Sequence, residues 1–521
     1  MRARFTLALL LATLAACGKE AGPAPAGNPT RPPNVLVVLL DTLRPDHLGC
    51  YGSGRSTSPR LDELAARSAL FEHAQSAAPL TVAALLSLHT SLYPQVHGVQ
   101  GTLNPGRMSE HVTTLAEVLA SHGYATAAFT EGGYANPQFG LGQGFQTFPA
   151  HPEDSDPNVS NLLGTSRLAQ NLERATTWLK GVKQPFFLFF HTYEVHQPNF
   201  ARPEYMANVR PGFDEAADHA RSAQVIERWN REHTADAAGC QTLLEHLYQC
   251  PLTGLPPLQD PEGFEKLAHS FGCGPEDAAH NEKLLALVRD LYDAALRYTD
   301  DQLAGLWKTL DDLRLADDTL VVVVSDHGEG LGEHGELEHS NNLHEEALHV
   351  VLMIHVPPKL AAASALAPCR VAQQVRSIDV MPTLLELTGI GTQGLALQGK
   401  SLMPLMRGEN DGARVAFSHA RRVDVLQNPQ FSVREGDWRL IQEPRTRQQW
   451  LYDLAHDPRE LVDVAAQHPD LAARLTALLE QQSKQDAYLR EKFGSAPGEL
   501  VIDEKTLKEL RALGYTGKDG K

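Results

Sequence analysis

Asp326-His327-Gly328-Glu329 sets a carboxylate beside an imidazole, a grouping able to bind one hard or borderline cation. Asp41-Thr42 offers a further oxygen ligand, and His191-Thr-Tyr-Glu-Val-His196 places two imidazoles five residues apart. His339, in Glu333-His334-Gly-Glu-Leu-Glu-His339-Ser340, adds an imidazole suited to a metal or to donation toward a substrate oxygen. A divalent metal ion among Asp41, Asp326 and His327 would polarise a phosphate or sulfate ester and lower the pKa of a bound hydroxyl. Calcium, manganese, magnesium and zinc all suit that mixture of donors. A nucleophile for such chemistry is best placed at a helix N-terminus, where backbone N–H groups favour an oxyanion. Ala78-Pro79-Leu80-Thr81 leads into the helical run Val82 to Thr90, so Thr81 stands at or near that start, as an attacking hydroxyl or simply as the N-cap.

Each group follows a run of strand character. Asn34 to Leu40 is continuously apolar and stops at Asp41, as a strand buried on both faces would. Pro185 to Phe190 precedes His191, Thr319 to Val324 precedes Ser325-Asp326, and Ala125 to Thr130 precedes Glu131. Helical patterns at Thr114 to His122, Leu168 to Lys180 and Leu291 to Leu313 alternate with them. The expected fold is therefore α/β, a central parallel or mixed sheet with helices on both faces and polar residues delivered to one sheet edge. About 201–281 reads as an insertion over the site, a lid. A helix is expected near Asp379 to Thr388. Beyond about Gly408 the runs Phe431 to Val433, Trp438 to Ile441 and Trp450 to Tyr452 predict a small antiparallel sheet, closed by helices at Pro469 to Gln482 and Asp503 to Leu513. The expected division is 34–407 for the catalytic body and 408–521 for the C-terminal subdomain.

The 521 residues carry 64 acidic against 46 basic side chains, and the resulting net charge of −18 argues against nucleic acid as a partner. With 42% hydrophobic and 21% charged residues the chain can bury a substantial core, which excludes global disorder. Arg2 and Arg4, the apolar stretch Phe5 to Ala16, and small residues before Cys17 form a segment too short to span a bilayer. It resembles a bacterial lipoprotein signal over 1–17, with Cys17 as the lipidated mature N-terminus and 18–33 as a tether. An ordinary cleaved secretory signal is the alternative. Export follows from either, and with Gly18 rather than Asp after the cysteine, resemblance to Gram-negative lipoproteins implies a lipid anchor in the outer membrane. Outside the cytosol, Cys240, Cys250 and Cys273 are expected to supply a local disulfide rather than a metal site. Neither the number of metals nor the oligomeric state follows from the residues.

Asn34 to Gly52, Thr81 to Val99, His191 to Pro198 and Ser325 to Leu352 occur in an order and spacing similar to the sulfatase branch of the alkaline phosphatase superfamily. Further echoes lie at Tyr292 to Asp300, Ser377 to Leu385, Leu451 to Pro458 and Leu510 to Tyr515, so the likeness runs from about Asn34 to the C-terminus. The resemblance implies an ester hydrolase in which Asp41, Asp326 and His327 are metal ligands and Thr81 is the nucleophile, twelve residues before Tyr93-Pro94. It implies that His196 and His339 hold the ester's oxygens or protonate the leaving group. On its residues alone His196 is also compatible with a histidine satisfied beneath the site. His97 and His191 are expected to support the ligands.

The chain departs from that family in four places. Thr81-Val-Ala-Ala-Leu85 stands where a Cys or Ser followed by x-Pro-x-Arg would mature to formylglycine, so Thr81 cannot do so. Thr42 replaces a second Asp, Glu131-Gly-Gly-Tyr134 occupies the region of a Lys- and His-bearing segment, and Ser91 replaces a Gly. A threonine nucleophile resembles the phosphatase, phosphodiesterase and transferase branches, which favours phosphoester over sulfate-ester chemistry. The expected partner is a sulfate- or phosphate-ester substrate, with the membrane held through the N-terminal lipid. Two other readings compete: phosphoryl transfer to envelope lipids or glycans, and non-catalytic binding of sulfated or phosphorylated polymers.

Overall fold

Seven strands, β1 (Asn34–Leu40), β2 (Ala69–Phe71), β3 (Ala125–Phe129), β4 (Phe186–Thr192), β5 (Thr319–Val324), β6 (Leu352–His355) and β7 (Cys369–Val371), form one sheet in the order β7-β2-β6-β5-β1-β4-β3. The structure, a computed structural model, describes residues 31–512 apart from 102–104, 150–166, 184, 198, 200–201, 211, 213, 241, 244–258, 271–281, 341, 422–428 and 495–501. Cys17, Cys250, Cys273 and the 1–30 leader and tether segment therefore lie outside the described residues. The four strands β3, β4, β1 and β5 run parallel, whereas β6 is antiparallel to both β5 and β2. The mixed sheet expected from the sequence is the one found.

Every residue of β1 is buried, as its unbroken apolar run requires. Val35, Val37 and Leu39 face one apolar cluster, and Leu36, Val38 and Leu40 face the other. The same alternation sends Phe187 and Phe189 of β4, and Leu320, Val322 and Val324 of β5, to the first cluster. Register pairs Leu40 with Thr192 and Leu39 with Val324, so the three strands end at one level. The same alternation carries His191 of β4 and, continued past the ends of β1 and β5, Asp41 and Asp326 toward the first face.

That face is covered by α1 (Thr81–Thr90), whose ten residues are all buried. A helix apolar nearly all round is stable only inside a core, and this one contributes Val82, Leu85, Leu86 and Leu88 to it. Behind it packs α2 (Val380–Leu387). The opposite face is closed by α3 (Arg167–Gly181) and α4 (Glu282–Asp312), through residues such as Leu168, Leu172, Tyr292 and Leu303. Among the described residues between β4 and α4, helices lie at Pro203–Val209, Glu215–Glu232 and Pro261–Ser270, within the stretch expected to be an insertion. Ile226, Trp229, Cys240, Leu243, Phe264 and Ala268 give it a small core of its own.

The C-terminal sheet has four antiparallel strands, Ala416–Arg421, Pro429–Glu435, Trp438–Glu443 and Gln448–Asp453, one more than the sequence led us to expect. A helix at Pro469–Phe493, α5, covers it through Ala472, Leu475 and Leu479. Arg439 and Arg434 of this sheet pair with Glu345, which ties it to the segment that carries His339. The last helix among the described residues, α6 (Glu504–Ala512), buries Leu510 in the main core. Among the described residues no helix is long and apolar enough to cross a membrane.

Candidate active site

Asp41, Asp326 and His327 converge at the strand ends, fully buried, with one ligand atom from each lying within 4.8 Å of the others. Three features of local folding bring them there. Thr42 takes the left-handed conformation, φ +56°, which turns the chain sharply after Asp41 and aims its N–H at Asp326 Oδ1, 3.2 Å away. Gly328 is obligatory, since a Cβ there would sit 2.0 Å from the carbonyl oxygen of Glu346. His327 bonds through Nδ1 to the Gly328 carbonyl at 2.9 Å, which makes Nδ1 the protonated nitrogen and leaves the Nε2 lone pair toward the carboxylates.

The carboxylate geometry asks for a cation. His327 Nε2 lies 3.3 Å from Asp326 Oδ2 and 3.9 Å from Asp41 Oδ1, and both of those buried oxygens accept no hydrogen bond. Burial pushes the Asp41 carboxyl well above its ordinary range, and the neighbouring charges of Asp326 and Glu329 push it further. Burial raises Asp326 as well, opposed by His327. Two adjacent buried acids with orphaned oxygens are costly alone and well matched to a divalent ion. The donor set fits one: two carboxylates and an imidazole whose other nitrogen is already anchored.

Thr81 lies where its hydroxyl can act. Leu80 is the N-cap of α1, so Thr81 is the first helical residue, and its Oγ1 is 3.3 Å from His327 Nε2. The N-cap role that helix grammar alone suggested is thus taken by another residue. The N–H groups of the first turn give this end of α1 a partial positive charge suited to an ester's oxygens.

The remaining histidines divide. His191 Nε2 is 3.0 Å from Asp41 Oδ2, so this imidazole orients the Asp41 carboxylate from beneath. His97, in contrast, contacts Ser87 Oγ through Nε2 at 3.1 Å and so braces α1 rather than any ligand. His196 and His339 face each other edge-on, ring centroids 4.8 Å apart, and His339 also lies 4.5 Å from the His327 ring. Tyr193 packs against both His191 and His196, at 4.5 and 5.4 Å. One residue escaped the sequence reading: Glu329, whose Oε1 is 2.9 Å from His339 Nδ1. The motif put an acid two residues after His327, but nothing in the spacing said that a loop would return His339 onto it. Glu131, just past the end of β3, accepts the Tyr193 N–H at 3.1 Å.

The sulfatase family model matches residues 33–390, and a second, described as N-sulphoglucosamine sulphohydrolase, C-terminal, matches 332–485. Iduronate 2-sulfatase of Mus musculus is 27% identical over 406 residues, 68% of this chain and 69% of that protein. Choline-sulfatase of Rhizobium meliloti is 26% identical over 453 residues, 84% of this chain and 83% of the other. Among solved structures, phosphonate monoester hydrolase of Agrobacterium radiobacter superposes with a TM-score of 0.63 at 20% identity, covering 88% of this chain and 96% of that one. With more than half of its length matched and with acids and imidazoles gathered at the strand ends in this way, the chain belongs to the sulfatase family of sulfuric and phosphoric ester hydrolases.

Proposed function

We propose that the protein is an exported, lipid-anchored, metal-dependent hydrolase that uses Thr81 as its nucleophile and prefers phosphoesters to sulfate esters. The observation that carries the reading is the Thr81 hydroxyl itself, at the start of a fully buried helix and 3.3 Å from His327 Nε2. A divalent cation held by Asp41, Asp326 and His327, whether calcium, manganese, magnesium or zinc, would supply positive charge that favours the ionised hydroxyl and the anionic ester. Thr81 Oγ1 forms the new bond to phosphorus while the bond to the leaving oxygen breaks opposite it. The first turn of α1 binds the equatorial oxygens, and His196 and His339 serve the departing one. Water then releases the Thr81 ester. A sulfated threonine would lack the elimination route that formylglycine provides, which is the ground for preferring phosphorus.

The test is turnover of matched nitrophenyl phosphate, phosphodiester and sulfate substrates by a form lacking residues 1–17, with added metals. Phosphoester cleavage that falls by about 10³-fold or more in Thr81→Ala, at unchanged melting temperature, is the expected result. Sulfate-ester cleavage exceeding phosphoester cleavage overturns the preference. Lipid anchoring rests on the Cys17 segment, and Cys17→Ala is expected to move the protein from the membrane fraction to the soluble one.

A further inference from the structure

Glu329 is fully buried, yet it differs from Asp41 and Asp326 in having both carboxylate oxygens engaged. Oε1 pairs with His339 Nδ1 at 2.9 Å, and Oε2 accepts the Gln197 N–H at 3.3 Å, beside His196. Its backbone is held as firmly. The Glu329 carbonyl accepts from Arg44 Nη1 at 2.9 Å, Arg44 is itself paired to Glu333 at 3.1 Å, and the preceding Gly328 N–H bonds to Ala347 at 2.9 Å. A carboxylate used in this way is not part of the cation's donor set. It is a fixed post on which an imidazole is mounted.

We infer that Glu329 is the positioning residue of His339, holding its Nδ1–H so that Nε2 is the nitrogen presented to the ester's leaving oxygen. This rests on the ester-hydrolase reading above and gives one of its histidines a defined orientation. With Nδ1 anchored, the ring cannot flip, and its packing against His327 and His196 sets its plane. Burial and the neighbouring His327 ring push the His339 imidazole well below its ordinary pKa, and the Glu329 carboxylate at 2.9 Å opposes them by favouring the charged ring. In the first half-reaction Thr81 Oγ1, as its alkoxide, bonds to phosphorus, the bond from phosphorus to the leaving oxygen breaks with its electron pair going to that oxygen, and the Nε2 proton of the charged His339 ring follows. The neutral ring keeps Nδ1–H on Glu329. In the second half-reaction water attacks phosphorus, the Thr81 Oγ1 bond breaks, and the water's proton returns to Nε2. Ester and water become acid and alcohol with no other reactant.

Such a role predicts a loss graded by leaving group, because a good leaving group needs little proton transfer. Glu329→Ala in the metal-loaded enzyme is expected to lower kcat by about 10²-fold on alkyl and phenyl esters and only a few-fold on nitrophenyl esters, with KM nearly unchanged. Glu329→Gln, which keeps an oxygen acceptor for Nδ1–H, is expected to recover much of that loss and guards against a folding defect. Bound metal, measured by plasma mass spectrometry, should be the same in all three proteins. A separate reading that needs no turnover comes from proton NMR of the histidine-labelled holoenzyme: a strongly downfield imidazole N–H signal, absent in Glu329→Ala. Equal losses for all leaving groups, loss of the metal, or a signal that survives Glu329→Ala would overturn the inference. The signal lost on substitution, in a protein that cleaves no ester, would uphold the pairing and overturn the hydrolase reading instead.

Discussion

Asp326 shows how far one side chain can be stabilised by what it is built to bind. Its Oδ2 and the Asp41 Oδ1 are buried acceptors that share the His327 ring between them and take no hydrogen bond from the protein. Asp326→Asn removes one of two adjacent buried charges, so the metal-free protein is expected to gain about 1 kcal/mol or more of stability. The same variant should lose the rise in melting temperature that a divalent cation gives the wild type. Thermal unfolding with and without cation checks both. Asp41, Asp326 and His327 were legible because each follows a strand whose end the sequence marks, and Thr81 because a helical run starts there; the structure gathers them around the strand ends, with His339 beside the His327 ring. Glu329 was not legible as a mount for His339, because ten residues of loop separate the pair and only the folded loop decides where it returns.

At the scale of elements, α1 ends in a way that accounts for the serine where family members carry glycine. Ser91 adopts φ +59°, a conformation glycine reaches without strain, yet its hydroxyl donates to the Ile378 carbonyl at 2.8 Å and accepts the Gly399 N–H at 3.0 Å. Ser91→Gly would relieve about 1 kcal/mol of backbone strain and leave two buried groups unpaired, so we expect a net loss of about 1 kcal/mol in denaturant unfolding. The helix at Leu115–Ser121 opens with a reciprocal cap. Thr114 Oγ1 accepts the Glu117 N–H, and Glu117 accepts the Thr114 N–H in return. Thr114→Ala is expected to cost about 1 kcal/mol by the same measurement. Strands β1 and β5 were legible to the residue because unbroken apolar runs end in charge. The start of α4 was not: Glu282 to Asp290 mixes charge with Leu284, Leu285, Leu287 and Val288, which are buried partly by the insertion's first helix. The strand Ala416–Arg421 is too polar to declare itself, and exists through its pairing with Pro429–Glu435 and the His419 N–H bond to Ala77.

Across the whole molecule, distant segments are stitched together by polar contacts that respond to solution conditions. Asp486 of α5 accepts from Gln398 at 2.7 Å and Gln482 at 2.6 Å, while Gln398 also accepts the Tyr93 N–H at 2.8 Å beyond the end of α1. Burial lifts the Asp486 carboxyl to about 6. A raised folded-state pKa means that the group's contribution to stability is complete below the unfolded value near 4 and is lost as pH rises through 6. Asp486→Asn, which keeps the acceptor oxygen, should therefore be more stable than the wild type at pH 8 by about 1–3 kcal/mol, the difference closing by pH 4. Denaturant midpoints across that range provide the check. The C-terminal helix α6 makes a second stitch: Glu509 accepts the Gly133 N–H at 2.9 Å, and Thr506 accepts from Gln138 at 2.7 Å and from Asn136 at 3.3 Å. The segment so held donates the N–H groups of Tyr134 and Ala135 to the Tyr193 hydroxyl, next to His191 and His196. Helix α6 thus stands two contacts from the chemistry, although it carries none of the reactive side chains. Without α6 the polypeptide would still hold every reactive side chain but would lose the clasp on the segment beside them, so the site could be silenced from a distance with its chemistry untouched.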